Sequence, residues 1–142
     1  MLVNHYQLAF VLDAQYGLTN RLRAYGAARA IAAGSARFLV VLWDLDSHCQ
    51  ADLRHMFQLP VEVHVLTDVA PVRELMRKTY MAGLFAETDL MVPEQKNSLV
   101  DPHSDKHLYV RSAFQIRSRV SYGDANVVQL RYATCNTPRL LA

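Results

Sequence analysis

Apolar residues in this chain fall into short unbroken runs separated by stretches with helical spacing. Residues 7 to 13, QLAFVLD, form a run of strand length. Such continuity suits a strand covered on both faces in a parallel sheet. Turn-forming Gly17 and Asn20 follow. From Arg21 to Ala33, Leu22, Tyr25, Ala28 and Ala32 recur at helical spacing in an alanine-rich stretch, which predicts a helix with Gly34 at its carboxyl cap. Phe38 to Trp43, FLVVLW, is predicted as a second buried strand that ends in the polar residues Asp44, Asp46, Ser47 and His48.

The pattern continues with a short helix expected over residues 51 to 57. Val61, Val63 and Val65 alternate with Glu62 and His64, as in a half-buried strand. Pro71 then suits the first turn of a helix in which Glu74 and Lys78 stand four apart and Met76 and Tyr80 face the core. Residues 86 to 106, polar and holding two prolines, are predicted as loop, with a further strand at Leu108 to Ser112. Alternating strands and helices imply right-handed crossovers and a mostly parallel sheet. The fold class is therefore α/β, a Rossmann-like three-layer unit over residues 1 to 112. Residues 113 to 142 read as an irregular tail, a truncated or non-native end. In such sheets ligands bind beyond the carboxyl ends of the strands, where residues 16 to 23 and 44 to 49 are expected.

A chain of 142 residues can bury a real core, hiding roughly 68% of its unfolded surface. With 51% hydrophobic and 20% charged residues it has an ordinary globular composition. The net charge of +2, without long Lys and Arg runs, argues against nucleic acid as a partner. Cys49 and Cys135 lack CxxC spacing, so neither a zinc ribbon nor a redox pair is indicated, and their redox state stays open. The first apolar stretch is too short for a membrane span or a signal peptide. A Golgi or secretory-lumen location would need a leader or anchor outside these residues.

Two constellations could carry chemistry. In YGLTNRLRAYG, residues 16 to 26, Gly17 permits close backbone approach and Asn20 can cap the helix. Arg21 and Arg23 in the first turn oppose the macrodipole, at about 0.3 to 1 kcal/mol each. A bound anion would compensate them; alternatively they turn into water or pair with Asp44 or Asp46. The glycines lack GxGxxG spacing. The second constellation is Asp44, Asp46 and His48, which share a side if the chain is extended there. They could hold a divalent ion on a diphosphate, or simply end the strand and cap the next helix, and with nine aspartates a chance D-x-D is common. His5, His55, His64, His103 and His107 are scattered, and HExxH, GxSxG and P-loop spacings do not occur. Arg111 reads as a strand end, facing solvent or a substrate.

Residues 17 to 57 resemble the amino-terminal region of fucosyltransferase-like glycosyltransferases related to the protein O-fucosyltransferases and α-1,6-fucosyltransferases. The resemblance is carried by Gly17, Asn20, Arg21, Leu22, Arg23, Ala24, Trp43, Asp46, Cys49 and Phe57. It implies the first Rossmann-like domain of a GT-B enzyme that moves a sugar, fucose for example, from a GDP-sugar donor to a protein or glycan hydroxyl. It implies Gly17 and Asn20 at the donor, Arg21 or Arg23 holding the diphosphate or shaping its loop, and Asp46 and His48 in support. It also implies metal-independent transfer, with arginines offsetting leaving-group charge; Asp44 is outside the matched pattern, and no catalytic residue is assigned. The family's second-domain His-x-Arg motif does not occur in residues 113 to 142. The competing expectation is therefore a catalytically incomplete half-domain that binds an anion or a partner chain. A methyltransferase is disfavoured because the first turn lacks its glycines.

Overall fold

The computed structural model describes residues 7 to 120 and the pair Arg131–Tyr132. In chain order the elements are β1 (Ala9–Ala14), α1 (Leu18–Gly34), β2 (Phe38–Leu42), α2 (Leu53–Met56), β3 (Phe57–Gln58), β4 (Val63–Leu66), α3 (Ala70–Met76), β5 (Phe85–Asp89), β6 (His107–Ser112) and β7 (Arg131–Tyr132). Short 3₁₀ turns occupy Thr79–Gly83 and Pro93–Gln95. Five strands form one parallel sheet in the order β4-β2-β1-β6-β5, and β3 pairs antiparallel with β7. This is the Rossmann-like α/β class that the hydrophobic runs predict.

The strand order dictates where the connections go. Steps from β1 to β2 and from β2 to β4 run one way across the sheet, and the step from β4 to β5 runs back. Right-handed crossovers must then lie on opposite faces. The packing agrees: α1 and Leu53 of α2 join Phe10, Leu12, Val41 and Val110 in the larger core. Val69 and Val72, at the start of α3, pack with Ala9, Val11 and Leu42 on the other face. All six residues of β1 are buried, as its central place requires. Each fully buried Phe10 or Leu12 is worth about 1.5 to 3 kcal/mol.

Several boundaries differ from the expectation. Helix α1 starts at Leu18 with Gly17 at the N-cap, so Asn20 lies inside the first turn and does not cap it. Gly34 is the last helical residue, and Ser35 at the C-cap donates its hydroxyl to the Ile31 carbonyl at 2.7 Å. The helix expected over 51 to 57 shrinks to one turn, capped by Asp52, whose carboxylate accepts from the Arg54 N–H at 2.9 Å. Helix α3 stops at Met76, because Lys78 is already extended. Tyr80 then lies in the following turn and is 63% exposed, not in the core. The predicted loop 86 to 106 takes in all of β5 but Phe85, and β5 is a half-exposed edge strand stabilised by its ladder with β6.

Packing also continues past Ser112. Ala113 and Ile116 are buried, and Val100 and Arg117 join their backbones at 2.9 Å. The rest of the predicted tail, residues 121 to 130 and 133 to 142, lies outside the described residues. At the amino-terminal end of the sheet, buried Arg37 donates to the carbonyls of Ala9, Pro102, Ser104 and Lys106, fastening the loop before β6 to β1. Among the described residues no helix is long and apolar enough to cross a membrane.

Candidate functional site

The carboxyl ends of β1 and β2 open into the two polar loops, and Arg21 joins them. Its side chain is fully buried. Nε donates to the Tyr16 carbonyl at 2.7 Å, one terminal nitrogen to the Asp44 carbonyl at 2.6 Å, and the other to Asp46 Oδ1 at 3.0 Å. The guanidinium also lies 5.2 Å from the centre of the Trp43 ring. A planar fork can satisfy three acceptors in different directions at once, which an ammonium cannot. Arg21 therefore shapes the loops and presents no surface to solvent.

Asp46 completes this fastening. Its Oδ1 also accepts the backbone N–H groups of His48 and Cys49, at 2.9 and 3.2 Å. Burial pushes its pKa up, but these two N–H bonds and the charge of Arg21 outweigh that and hold the carboxyl below the usual range. Residues 44 to 49 bend back in this way and are not an extended strand end. The shared side expected for Asp44, Asp46 and His48 does not form: Asp44 turns toward Arg73 at 3.4 Å, while the His48 ring leans on Tyr16 at 5.7 Å. Among the described residues no group of three or more His, Cys, Asp and Glu converges as a metal-ligand set.

The amino end of α1 is left open. No side chain caps it and no acidic residue stands in its first turn. Gly17 has ordinary extended backbone, and a β-carbon there would meet the His48 carbonyl at 3.6 Å, a normal contact. Nothing in the fold itself demands glycine at that point. Asn20 is half-buried, and Arg23 is exposed with no ion-pair partner among the described residues. Tyr16, just before the helix, has a φ of 69°, which a side chain adopts only with strain, and it is 45% exposed.

A second constellation lies on the other face of the sheet, where the sequence singles out Arg111 alone, as a strand end facing solvent or a substrate. Asp13 is the last but one residue of β1 and is 1% exposed. Its two oxygens receive the Arg73 fork at 2.8 and 3.0 Å, the Tyr109 hydroxyl at 2.6 Å and the Gln15 amide at 2.9 Å. The hydrogen bonds that Arg73 donates to Asp13 raise its pKa. Burial, and then the Asp13 charge, push the Tyr109 phenol far up, so it stays a donor. Alongside, Arg111 pairs with Asp89 at 3.2 Å. These side chains line an open cavity of about 440 Å³. A neighbouring hollow of about 470 Å³, beside Asp44, Asp68 and Glu74, shares the Arg73 and Arg77 wall. One signal in the sequence marked the place: Asp13 is a charged residue closing a run that is otherwise buried on both faces.

Comparison with protein-family models, with curated proteins and with solved structures finds no match for this chain.

Proposed function

We propose that this chain is the first α/β unit of a nucleotide-sugar dependent glycosyltransferase and supplies one wall of its donor site. The observation that carries the reading is the open amino end of α1 at the carboxyl edge of a parallel sheet, with Arg23 exposed on the second turn of that helix and without an ion-pair partner among the described residues. Free helix N–H groups and a guanidinium together suit a diphosphate. The resemblance of residues 17 to 57 to fucosyltransferase-like enzymes points to a GDP-sugar as donor, fucose as the sugar, and a protein or glycan hydroxyl as acceptor. In this arrangement Arg23 and the helix dipole offset the charge that grows on the leaving diphosphate, without a metal. Gly17 leaves room for the phosphate, Asn20 lies within reach of it, and Arg21, with Asp46, holds the loop that receives it; His48 stands in support across from Tyr16.

Calorimetric titration with GDP and GDP-fucose, first without metal and then with manganese, tests this. Metal-free binding that weakens about tenfold in Arg23→Ala is expected, since a charge-assisted hydrogen bond contributes about 1.5 to 3 kcal/mol. Absence of binding in both conditions, or binding only with manganese, overturns it.

A second reading is a catalytically incomplete half-domain that binds an anion or a partner chain. It is supported by Leu75, Tyr80 and Leu84, which expose 42%, 63% and 53% of their surface along the α3–β5 connection. Exposed apolar surface favours association. A monodisperse monomer in light scattering would count against that reading.

A further inference from the structure

The cavity beside Asp13 is separate from the turn at residues 16 to 23, because successive strand side chains point to opposite faces. Leu12 and Ala14 face α1, whereas Asp13 faces α3. Its volume of about 440 Å³ is that of a small-ligand site. We propose that it binds a neutral sugar ring, the acceptor in the transfer described above. Only the word acceptor rests on that functional reading; the binding of a neutral sugar does not.

The charge on the wall argues for a neutral ligand. Asp13, Glu87 and Asp89 face Arg73, Arg77 and Arg111, three acids against three bases, so the wall is electrically balanced. A phosphate would need an excess of cations, and an ammonium an excess of acids. Vicinal hydroxyls, by contrast, each donate and accept, and so match carboxylates and guanidinium forks side by side. Unused capacity exists for them. Arg111 commits a single terminal nitrogen to Asp89, which leaves its remaining N–H groups open among the described residues. Glu87 is exposed and has no partner there. Met76 adds an apolar patch suited to the C–H face of a ring.

Rigidity supports the assignment. Asp13, Glu87, Asp89, Tyr109 and Arg111 all stand on paired strands, in register at Asp13 with Arg111 and at Asp89 with Arg111. Polar groups on strands are held more closely than groups on loops. The Asp13 carboxylate, engaged by Arg73, Tyr109 and Gln15, fixes the back of the cavity and leaves the rim to recognise the ligand.

The test is saturation-transfer NMR on the full chain with methyl β-galactoside and lactose as neutral probes, and with glucuronate and inorganic phosphate as anionic ones. Transfer to the neutral probes is expected, about tenfold weaker in Glu87→Ala and in Arg111→Met. Glu87→Ala changes an exposed side chain without a partner among the described residues, so its melting temperature should equal that of the parent chain. No transfer to either glycoside, stronger binding of glucuronate or phosphate, or unchanged binding in both variants would overturn the proposal. The same samples are titrated with GDP. Glycoside binding without GDP binding removes the donor reading and leaves this one standing, while GDP binding without glycoside binding removes this one alone.

Discussion

Replacing Arg21 by alanine separates a loop-shaping arginine from a ligand-binding one. The substitution leaves the Tyr16 and Asp44 carbonyls without their donor, removes the third bond to Asp46, and empties the space against Trp43. The two carbonyls lie in partly hydrated loops, so each lost bond is placed at the low end, about 1 kcal/mol. The buried cation–π contact adds about 2 kcal/mol. The Asp46 pair, whose acid is 36% exposed, adds no more than about 1 kcal/mol after screening. Together these predict a loss of about 5 kcal/mol, a large share of the roughly 7 to 20 kcal/mol expected for 142 residues. At about 2 to 4 °C per kcal/mol, the melting temperature falls by roughly 10 to 20 °C.

Trp43 is the chain's single tryptophan and lies under the guanidinium, so its fluorescence in a urea titration reports the change directly. Arg21→Lys keeps the charge but offers no fork, and should lose most of the same stability. Arg23→Ala, an exposed change two residues away, should stay within about 0.5 kcal/mol of the parent. If Arg21→Ala unfolds within about 1 kcal/mol of the parent and yet abolishes GDP binding, the loop-shaping argument is wrong and Arg21 serves the ligand itself.

Tyr16→Gly removes the strain at φ 69° and should raise stability by up to about 1 kcal/mol in urea unfolding; a loss of more than that would show that the ring contact with His48 outweighs the strain. Asp13→Asn leaves the Arg73 fork and the Tyr109 hydroxyl without a carboxylate and should cost about 3 kcal/mol, against under 1 kcal/mol if the cluster is a surface feature. His107 Nδ1 accepts the Ala9 N–H at 3.0 Å, which requires the unprotonated ring; burial, and then the Arg37 charge, depress its pKa below 6.5. The unfolded chain therefore takes up the proton first, and stability drops as pH falls from 6.5 through the folded-state value and then levels. The carboxylates of Asp46 and Asp52, held below 3.8, release their own contribution only in a lower window. A urea midpoint that is flat from about pH 7.5 to 5, or a slope that persists in His107→Asn, would refute the His107 assignment.

The central strands were legible because their chemistry is local. FVL in β1 and FLVVL in β2 need cover on both faces, and the parallel sheet provides it. Strand β5 was not legible, since FAETD carries no run and no strict alternation of burial. Its state is decided by the ladder with β6, whose residues lie some twenty positions further on. The Asp13 cluster was hidden for the same reason. Arg73 reaches Asp13 across 60 positions and Tyr109 across 96, and no spacing rule within an element brings such residues together.

The two arginines of α1 show how far a local rule could have gone. At about 100° per residue, positions two apart on a helix point roughly 200° away from each other. When the following residues, Ala24, Tyr25 and Ala28, bury against the sheet, one arginine of the pair must turn inward and the other outward. An inward guanidinium needs several acceptors, and bent chain at the ends of two strands, with carbonyls released from the ladder, offers them. Arg21 takes those of Tyr16 and Asp44 together with the Asp46 carboxylate. With α1 starting at Leu18, the pair of cations expected in the first turn thus divides into one arginine held inside the protein by three bonds and one, Arg23, that faces outward from the second turn.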